Sequence, residues 1–231
     1  SYLNLTPGQD VIFRKIADIT KTQYLDVPDR PSGTSYSIDY VNERTAGVVP
    51  STVAYSVNSN MSGAQSGTGT YVSLTPGTDM YFRNKATASS FSSGIQHLDV
   101  PGRSSAPSVG INYDTEATST ALSSSMEYAT SSDMSGAVGG SGSVVDLSPG
   151  TDLYIRNKAT GSAFSSAIQH LDVPDRPARP SFTIDYLQEQ TAESVSSDYE
   201  YGSQANLSDA TQAANQKIAV TPGSNLYIRH R

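Results

Sequence analysis

One long phrase occurs twice in this chain, and no other property of the sequence limits its fold as strongly. Leu74–Pro101 reads LTPGTDMYFRNKATASSFSSGIQHLDVP, and most of its positions are identical in Leu147–Pro174. A Thr/Ser-Pro-Gly turn recurs at Pro7, Pro76, Pro149 and Pro222, at nearly constant spacing. Self-similarity at a fixed period is typical of repeat architectures, so the sequence predicts a tandem array.

The period also predicts the domain boundaries. Residues 1–30 are interpreted as the C-terminal part of one repeat, 31–103 and 104–176 as complete repeats, and 177–231 as the N-terminal part of a further repeat. Because neither end coincides with a repeat boundary, we expect a segment of a longer array. The alternative is strand exchange, in which an incomplete repeat takes its closing strand from another molecule. The overlap of the two ends at the Pro-Gly turn disfavours that alternative.

Short alternating segments broken by Gly, Pro, Asn and Ser predict an all-β fold. In the second complete repeat the expected strands are 108–113, 121–124, 126–130, 143–147, 153–160 and 166–173. Alternation places Leu153, Ile155 and Ala159 toward a core, as it does their counterparts Met80, Phe82 and Ala86, and Val11, Phe13 and Ala17. A unit of about 73 residues closes only a small sandwich, so each repeat should lean on its neighbours.

Composition excludes several classes of protein. The 231 residues include no Cys and no Trp and carry a formal charge of −7, so there are no disulfides and a nucleic-acid partner is disfavoured. No apolar run has the roughly 18 residues of a membrane span. A Ser/Thr/Gly-rich chain that avoids Cys favours a bacterial cell exterior. Prolines in the junctions DVPDRPSG, DVPGRSSAP and DVPDRPARP predict stiff connections and hence an elongated rod.

The stretch LTPGTDMYFRNKA, from Leu74 to Ala86, resembles the Leu-x-Pro-Gly-Thr stretch and Tyr-bearing strand of fibronectin type III and related immunoglobulin-like sandwiches. The chain is also similar to the Ser/Thr-rich tandem repeats of long surface proteins of Bacteroidota, including gliding-motility adhesins. Tyr81 and Tyr154 follow the turn proline by five positions instead of four, which puts the tyrosine-corner role in doubt. The resemblance implies an extracellular, non-catalytic stalk whose binding tip lies elsewhere.

Candidate sites are sparse, and we predict no catalytic residues and no cofactor. A Ser92, His97 and Asp99 triad can be assembled on paper, but no Gly-x-Ser-x-Gly elbow accompanies it. Calcium is a further candidate ligand, since junction carboxylates of neighbouring repeats can share a cation. Those carboxylates are Asp26, Asp29, Asp99, Asp172 and Asp175. The alternative is that Asp29 and Asp175 pair with the adjacent Arg30 and Arg176 or cap turns.

Two functional classes follow. The first is a structural spacer of a surface adhesin or filament, with neighbouring repeats as its partners and other copies of the filament as further candidates. The second is a multivalent binder of surface polysaccharide, in which repetition supplies avidity. Loops such as NSNMSGAQSGTG and SSDMSGAVGGSG differ between copies, which favours the spacer. The tyrosines that recur with the period are expected to be half-buried packing groups; these are Tyr40, Tyr113, Tyr186, Tyr55, Tyr128 and Tyr201. A recurring stripe of basic residues is expected to be a solvated strand edge; its members are Arg83, Lys85, Arg156 and Lys158.

Overall fold

The computed structural model describes residues 2–231, and over that range the chain forms 19 short strands and no helix. The predicted all-β fold, built of tandem β-sandwich repeats, is confirmed. The chain divides into two compact units, residues 1–173 and residues 174–231.

The chain opens with a hairpin of β1 (Val11–Lys15) and β2 (Asp18–Leu25), in which Val11 lies opposite Leu25. The expectation that Val11, Phe13 and Ala17 face a core is only partly correct. Val11 is half-buried, but Phe13 is 46% exposed and Ala17 is exposed. The reason is that this sheet has only two strands, so alternation along β1 does not bury a face.

The first complete repeat has two layers. Strands β5 (Val53–Ser56), β6 (Gln65–Ser66), β7 (Met80–Asn84) and β8 (Gln96–Leu98) form an antiparallel sheet in the order β6-β5-β7-β8. The hairpin of β3 (Ile38–Asp39) and β4 (Arg44–Thr45) lies in the other layer. Two isolated bridges, Arg44 to Ser73 and Val49 to Thr70, extend that hairpin.

The second complete repeat reproduces this pattern one period later. Its strands are β9 (Ile111–Asn112), β10 (Ala117–Thr118), β11 (Met126–Ala129), β12 (Val138–Gly139), β13 (Leu153–Asn157) and β14 (Gln169–Leu171). The expected strands at 121–124 and 143–147 are replaced by single bridges, Leu122 to Ser143 and Ala117 to Asp146. Strand β12 was not predicted, because two paired residues are too few to give an alternating pattern in the sequence.

Each complete repeat buries one cluster of apolar side chains between its layers. Phe82 and Ile155 are 0% exposed at equivalent positions of β7 and β13, as their alternation predicts. Ala86 is exposed and Ala159 is half-buried, because β7 ends at Asn84 and β13 ends at Asn157. The inward row therefore stops at the ends of these strands.

The unit of residues 174–231 contains β15 (Ile184–Asp185), β16 (Gln190–Thr191), β17 (Tyr199–Gly202), β18 (Thr211–Gln212) and β19 (Tyr227–His230). Its larger sheet has three strands in the order β18-β17-β19. The core centres on Val195, Ala213 and Ile218. A groove of about 890 Å³, partly lined by Phe182 and Ile228, lies beside this core.

Candidate functional site at the joint between two repeats

One aromatic side chain crosses from the second complete repeat into the core of the first. Phe164 lies in the loop between β13 and β14, yet it belongs to the buried cluster that contains Val49, Phe82 and Val100. Its ring packs edge-on against Tyr40, with 4.9 Å between the ring centroids. Phe164 is 4% exposed. The core of one repeat is therefore completed by a side chain of the next.

Arg103 makes polar contacts on both sides of the same joint. Its Nη2 donates to Oε1 and Oε2 of Glu43, each at 2.7 Å, within the first complete repeat. Its Nη1 donates to the carbonyl oxygen of Ser165 at 3.0 Å and to Oγ of Ser165 at 2.6 Å, in the second. Hydrogen bonds with a charged donor are stronger than neutral ones. Arg103 thus fastens the loop that carries Phe164.

The turn before β4 positions Glu43 for this contact. Glu43 has a φ of 50°, a left-handed conformation that non-glycine residues adopt at a cost. Its carbonyl oxygen accepts the N–H of Leu74 at 2.8 Å, which compensates part of that cost. The same positive φ occurs at Glu116 and Glu189, so every copy of this hairpin builds its turn in the same way.

The preceding junction repeats part of the contact. Nη1 of Arg30 donates to the carbonyl oxygen of Ser92 at 2.8 Å, and Ser92 is the counterpart of Ser165 one period earlier. Phe91, the counterpart of Phe164, is half-buried. Sequence reasoning missed this set, although Phe91 and Phe164 recur with the period. The signal that could have found it is an aromatic residue at the same loop position in both copies of the repeated phrase. A loop residue outside the strands has no place in a strand-alternation pattern, so its recurrence indicates another packing role.

Buried hydroxyl groups fix the layers inside each copy. Thr45 is 0% exposed; its Oγ1 donates to the Gly47 carbonyl at 2.8 Å and accepts the Val72 N–H at 3.1 Å. Thr118 and Thr191 make the same pair of bonds in the following copies. A single buried hydroxyl therefore bonds one backbone N–H and one backbone carbonyl, and its own polar atom is satisfied inside the core.

The two periodic histidines pair with aspartates and not with serines. Nε2 of His97 lies 2.7 Å from Oδ2 of Asp79, and His170 lies equally close to Asp152. The hydrogen bond from the Val100 backbone, followed by that from His97, lowers the pKa of Asp79. For Asp152 the contact with His170 is the larger cause of its lowered pKa. Each histidine also stacks on the tyrosine opposite it, Tyr81 or Tyr154.

The structure does not join Ser92, His97 and Asp99 in a hydrogen-bonded triad. His97 bonds Asp79, while Oγ of Ser92 accepts from Arg30 at 3.3 Å. Asp99 is exposed.

The aspartates considered for calcium lie on the surface. Asp26, Asp29, Asp99, Asp172 and Asp175 are all exposed, and they belong to three different junctions. Over residues 2–231 the structure contains no group of three or more His, Cys, Asp or Glu residues placed to hold a metal ion. Calcium binding by these residues stays an alternative to ion pairing and turn capping.

Three of the four recurring basic side chains contact groups of their own repeat. Nε of Arg156 donates to Glu127 at 2.6 Å, and Nζ of Lys158 donates to the Ser124 carbonyl at 2.8 Å. Nζ of Lys85 donates to the Ser51 carbonyl at 2.7 Å. The expectation of a solvated strand edge is wrong, because β7 and β13 each pair with a strand on both sides.

The periodic tyrosines fall into two groups. Tyr55, Tyr128 and Tyr201 pack half-buried against the cores, as expected. At the other position Tyr40 is half-buried beneath Phe164, whereas Tyr113 is 69% and Tyr186 is 84% exposed. The expectation of packing was therefore wrong for those two tyrosines, because burial at this position comes from the neighbouring repeat.

Comparisons with known proteins add little to this geometry. No protein-family model matches the sequence, and no curated protein sequence matches it. Among solved structures, the chicken CNTN1 FN1–FN3 domains match with 13% identity and a TM-score of 0.25, covering 87% of this chain and 92% of that one. A TM-score this low supports no inference, so the fold assignment rests on the strands themselves. Within residues 2–231 we find no helix with the length and hydropathy needed to span a bilayer.

Proposed function

We propose that this chain is a non-catalytic structural spacer, part of the stalk of a large extracellular bacterial surface adhesin or filament. The observation that carries the proposal is the burial of Phe164, a residue of one repeat, in the core of the preceding repeat. A linker of flexible chain would let the repeats reorient, whereas a shared core and a bridging arginine oppose reorientation. The Cys-free, Ser/Thr/Gly-rich composition supports the extracellular setting.

The proposal is tested by measuring how freely two repeats move. The chain has no Cys, so Ser59→Cys and Ser132→Cys, at equivalent exposed positions, allow spin labels to be placed selectively. We expect one narrow distance distribution between the labels. Adding Arg103→Ala and Phe164→Ala should widen it, because both kinds of contact across the joint are then lost.

A matched control is Arg156→Ala, which removes an arginine whose ion pair with Glu127 lies inside one repeat. This change should leave the distribution narrow. A broad distribution in the parent protein would exclude a stiff spacer, and equal widening in the control would show that the joint is not responsible.

A second candidate is a multivalent carbohydrate- or surface-binding module. Tyr113 and Tyr186 are the residues to test, since their rings are exposed at the position where Tyr40 is covered by Phe164 of the next repeat. In that case binding to a polysaccharide-coated surface should weaken stepwise when Tyr113→Val and Tyr186→Val are introduced singly and together. A spacer should show no such stepwise loss.

A further inference from the structure

An open polar groove lies on one edge of the first complete repeat. It has a volume of about 490 Å³, within the range of small-molecule sites. Its walls come from the end of β5, the turn that follows and the segment before β7. None of the twelve lining residues is charged. The lining residues with polar or aromatic side chains include Tyr55, Asn58, Gln65, Thr68, Thr70 and Tyr71.

Tyr71 is held as a flat surface at this groove. The guanidinium carbon of Arg44 lies 3.8 Å from the centroid of its ring, and Nε of Arg44 contacts Asp39 at 3.1 Å. A cation stacked on one ring face restricts the orientation of the ring. Tyr71 nevertheless remains 45% exposed. The aromatic surface is therefore oriented before any ligand arrives, which lowers the entropy cost of binding.

Hydrogen-bonding groups line the same groove as this ring. The hydroxyl of Tyr55 contacts Oε1 of Gln65 at 3.0 Å, and the hydroxyl oxygens of Thr68 and Thr70 lie 2.8 Å apart. Hydroxyl and amide groups both donate and accept, so they match a ligand that is itself rich in hydroxyl groups.

The fold does not require these side chains. At the equivalent positions of the second complete repeat, Tyr71 is replaced by Val144, Gln65 by Val138 and Arg44 by Ala117. That repeat has the same strands and an equally buried core. Packing alone therefore does not account for the stacked tyrosine and the amide in the first complete repeat.

We propose that this groove binds an uncharged oligosaccharide, with Tyr71 as the stacking surface and Gln65 among the hydrogen-bonding groups. An anionic glycan is disfavoured by the charge of −7 on the chain, and a cationic ligand by Arg44 at the rim. The apolar face of a sugar ring fits an aromatic surface, while its hydroxyls fit the polar walls. The stacking tyrosine and the amide belong to the first complete repeat and are absent from the equivalent positions of the second, so the two repeats would differ in binding.

The test uses the whole chain on an array of neutral oligosaccharides, with sialylated and sulfated glycans beside them. The neutral glycan bound best is then titrated into the chain while amide NMR shifts are recorded. We expect shifts in 55–73 and a Kd weakened roughly tenfold by Tyr71→Val, since stacking contributes about this much. Gln65→Val should weaken binding as well. Both variants introduce residues that the second complete repeat already carries, so they should fold.

Tyr113→Val is the matched control, because it removes an exposed tyrosine outside the groove. This variant should bind as the parent does. The proposal is overturned if no neutral glycan binds at millimolar concentration, if only charged glycans bind, or if Tyr71→Val binds normally. A loss confined to Tyr113→Val would also overturn it and would support the multivalent binder.

Discussion

At the scale of single residues, the buried threonines show how one hydroxyl group stabilises a small sandwich. Thr118 is 1% exposed, donates to the Thr120 carbonyl at 2.9 Å and accepts the Val145 N–H at 3.0 Å. We expect Thr118→Val to lower the free energy of unfolding by about 1–3 kcal/mol, because the shape is kept while two backbone groups lose a partner. Urea unfolding measures this change. Thr151→Val, at an exposed position, is the control, and an equal loss there would contradict the argument.

The acid sensitivity of Asp133 is a second property of a single residue. Hydrogen bonds from the side chain and backbone of Ser135, and from Ser131, lower its pKa from 3.8 to about 2. A lowered pKa in the folded state stabilises the fold above the unfolded value, and this contribution is lost as the pH falls from 3.8 to about 2. Asp133→Asn should therefore flatten the dependence of stability on pH in that window.

Asparagine is a fair replacement at this position, because Asn60 occupies it one period earlier and accepts the Ser62 N–H at 2.9 Å. Measuring the unfolding free energy of both proteins from pH 6 to pH 2 gives the difference directly, as an order-of-magnitude check of the linkage. Parallel curves would show that Asp133 does not contribute to acid unfolding.

At the scale of elements, the sequence predicts the strands of the larger sheet better than those of the smaller layer. Leu153 and Ile155 alternate clearly, since one side of β13 faces a continuous core. The second layer gives a weaker signal because single bridges such as Leu122 to Ser143 leave no run of alternation. The joint was not predicted, since Phe164 lies in a loop and its burial depends on a different repeat.

The loop that carries Phe164 therefore links the stability of two elements. We expect Phe164→Ala to destabilise the first complete repeat by about 3 kcal/mol, although the substitution lies in the second, because it empties part of the first core. Native-state hydrogen exchange of β5 and β7 amides should report the loss. Phe91→Ala is the matched change at a half-buried ring, and we expect less than half the effect. Loss confined to β11 and β13 would refute the shared core.

At the scale of the whole molecule, small-angle scattering tests whether the junction aspartates bind calcium and whether open sheet edges pair between molecules. We expect small-angle scattering to be unchanged by calcium, because Asp26, Asp99 and Asp172 are exposed and lie in separate junctions. We also expect no change with protein concentration. Stiffening by calcium would instead make these aspartates ligands. A particle that grows with concentration would show that sheet edges such as β19 pair between molecules, as in a strand-exchanged filament, and the spacer would then be an assembling subunit.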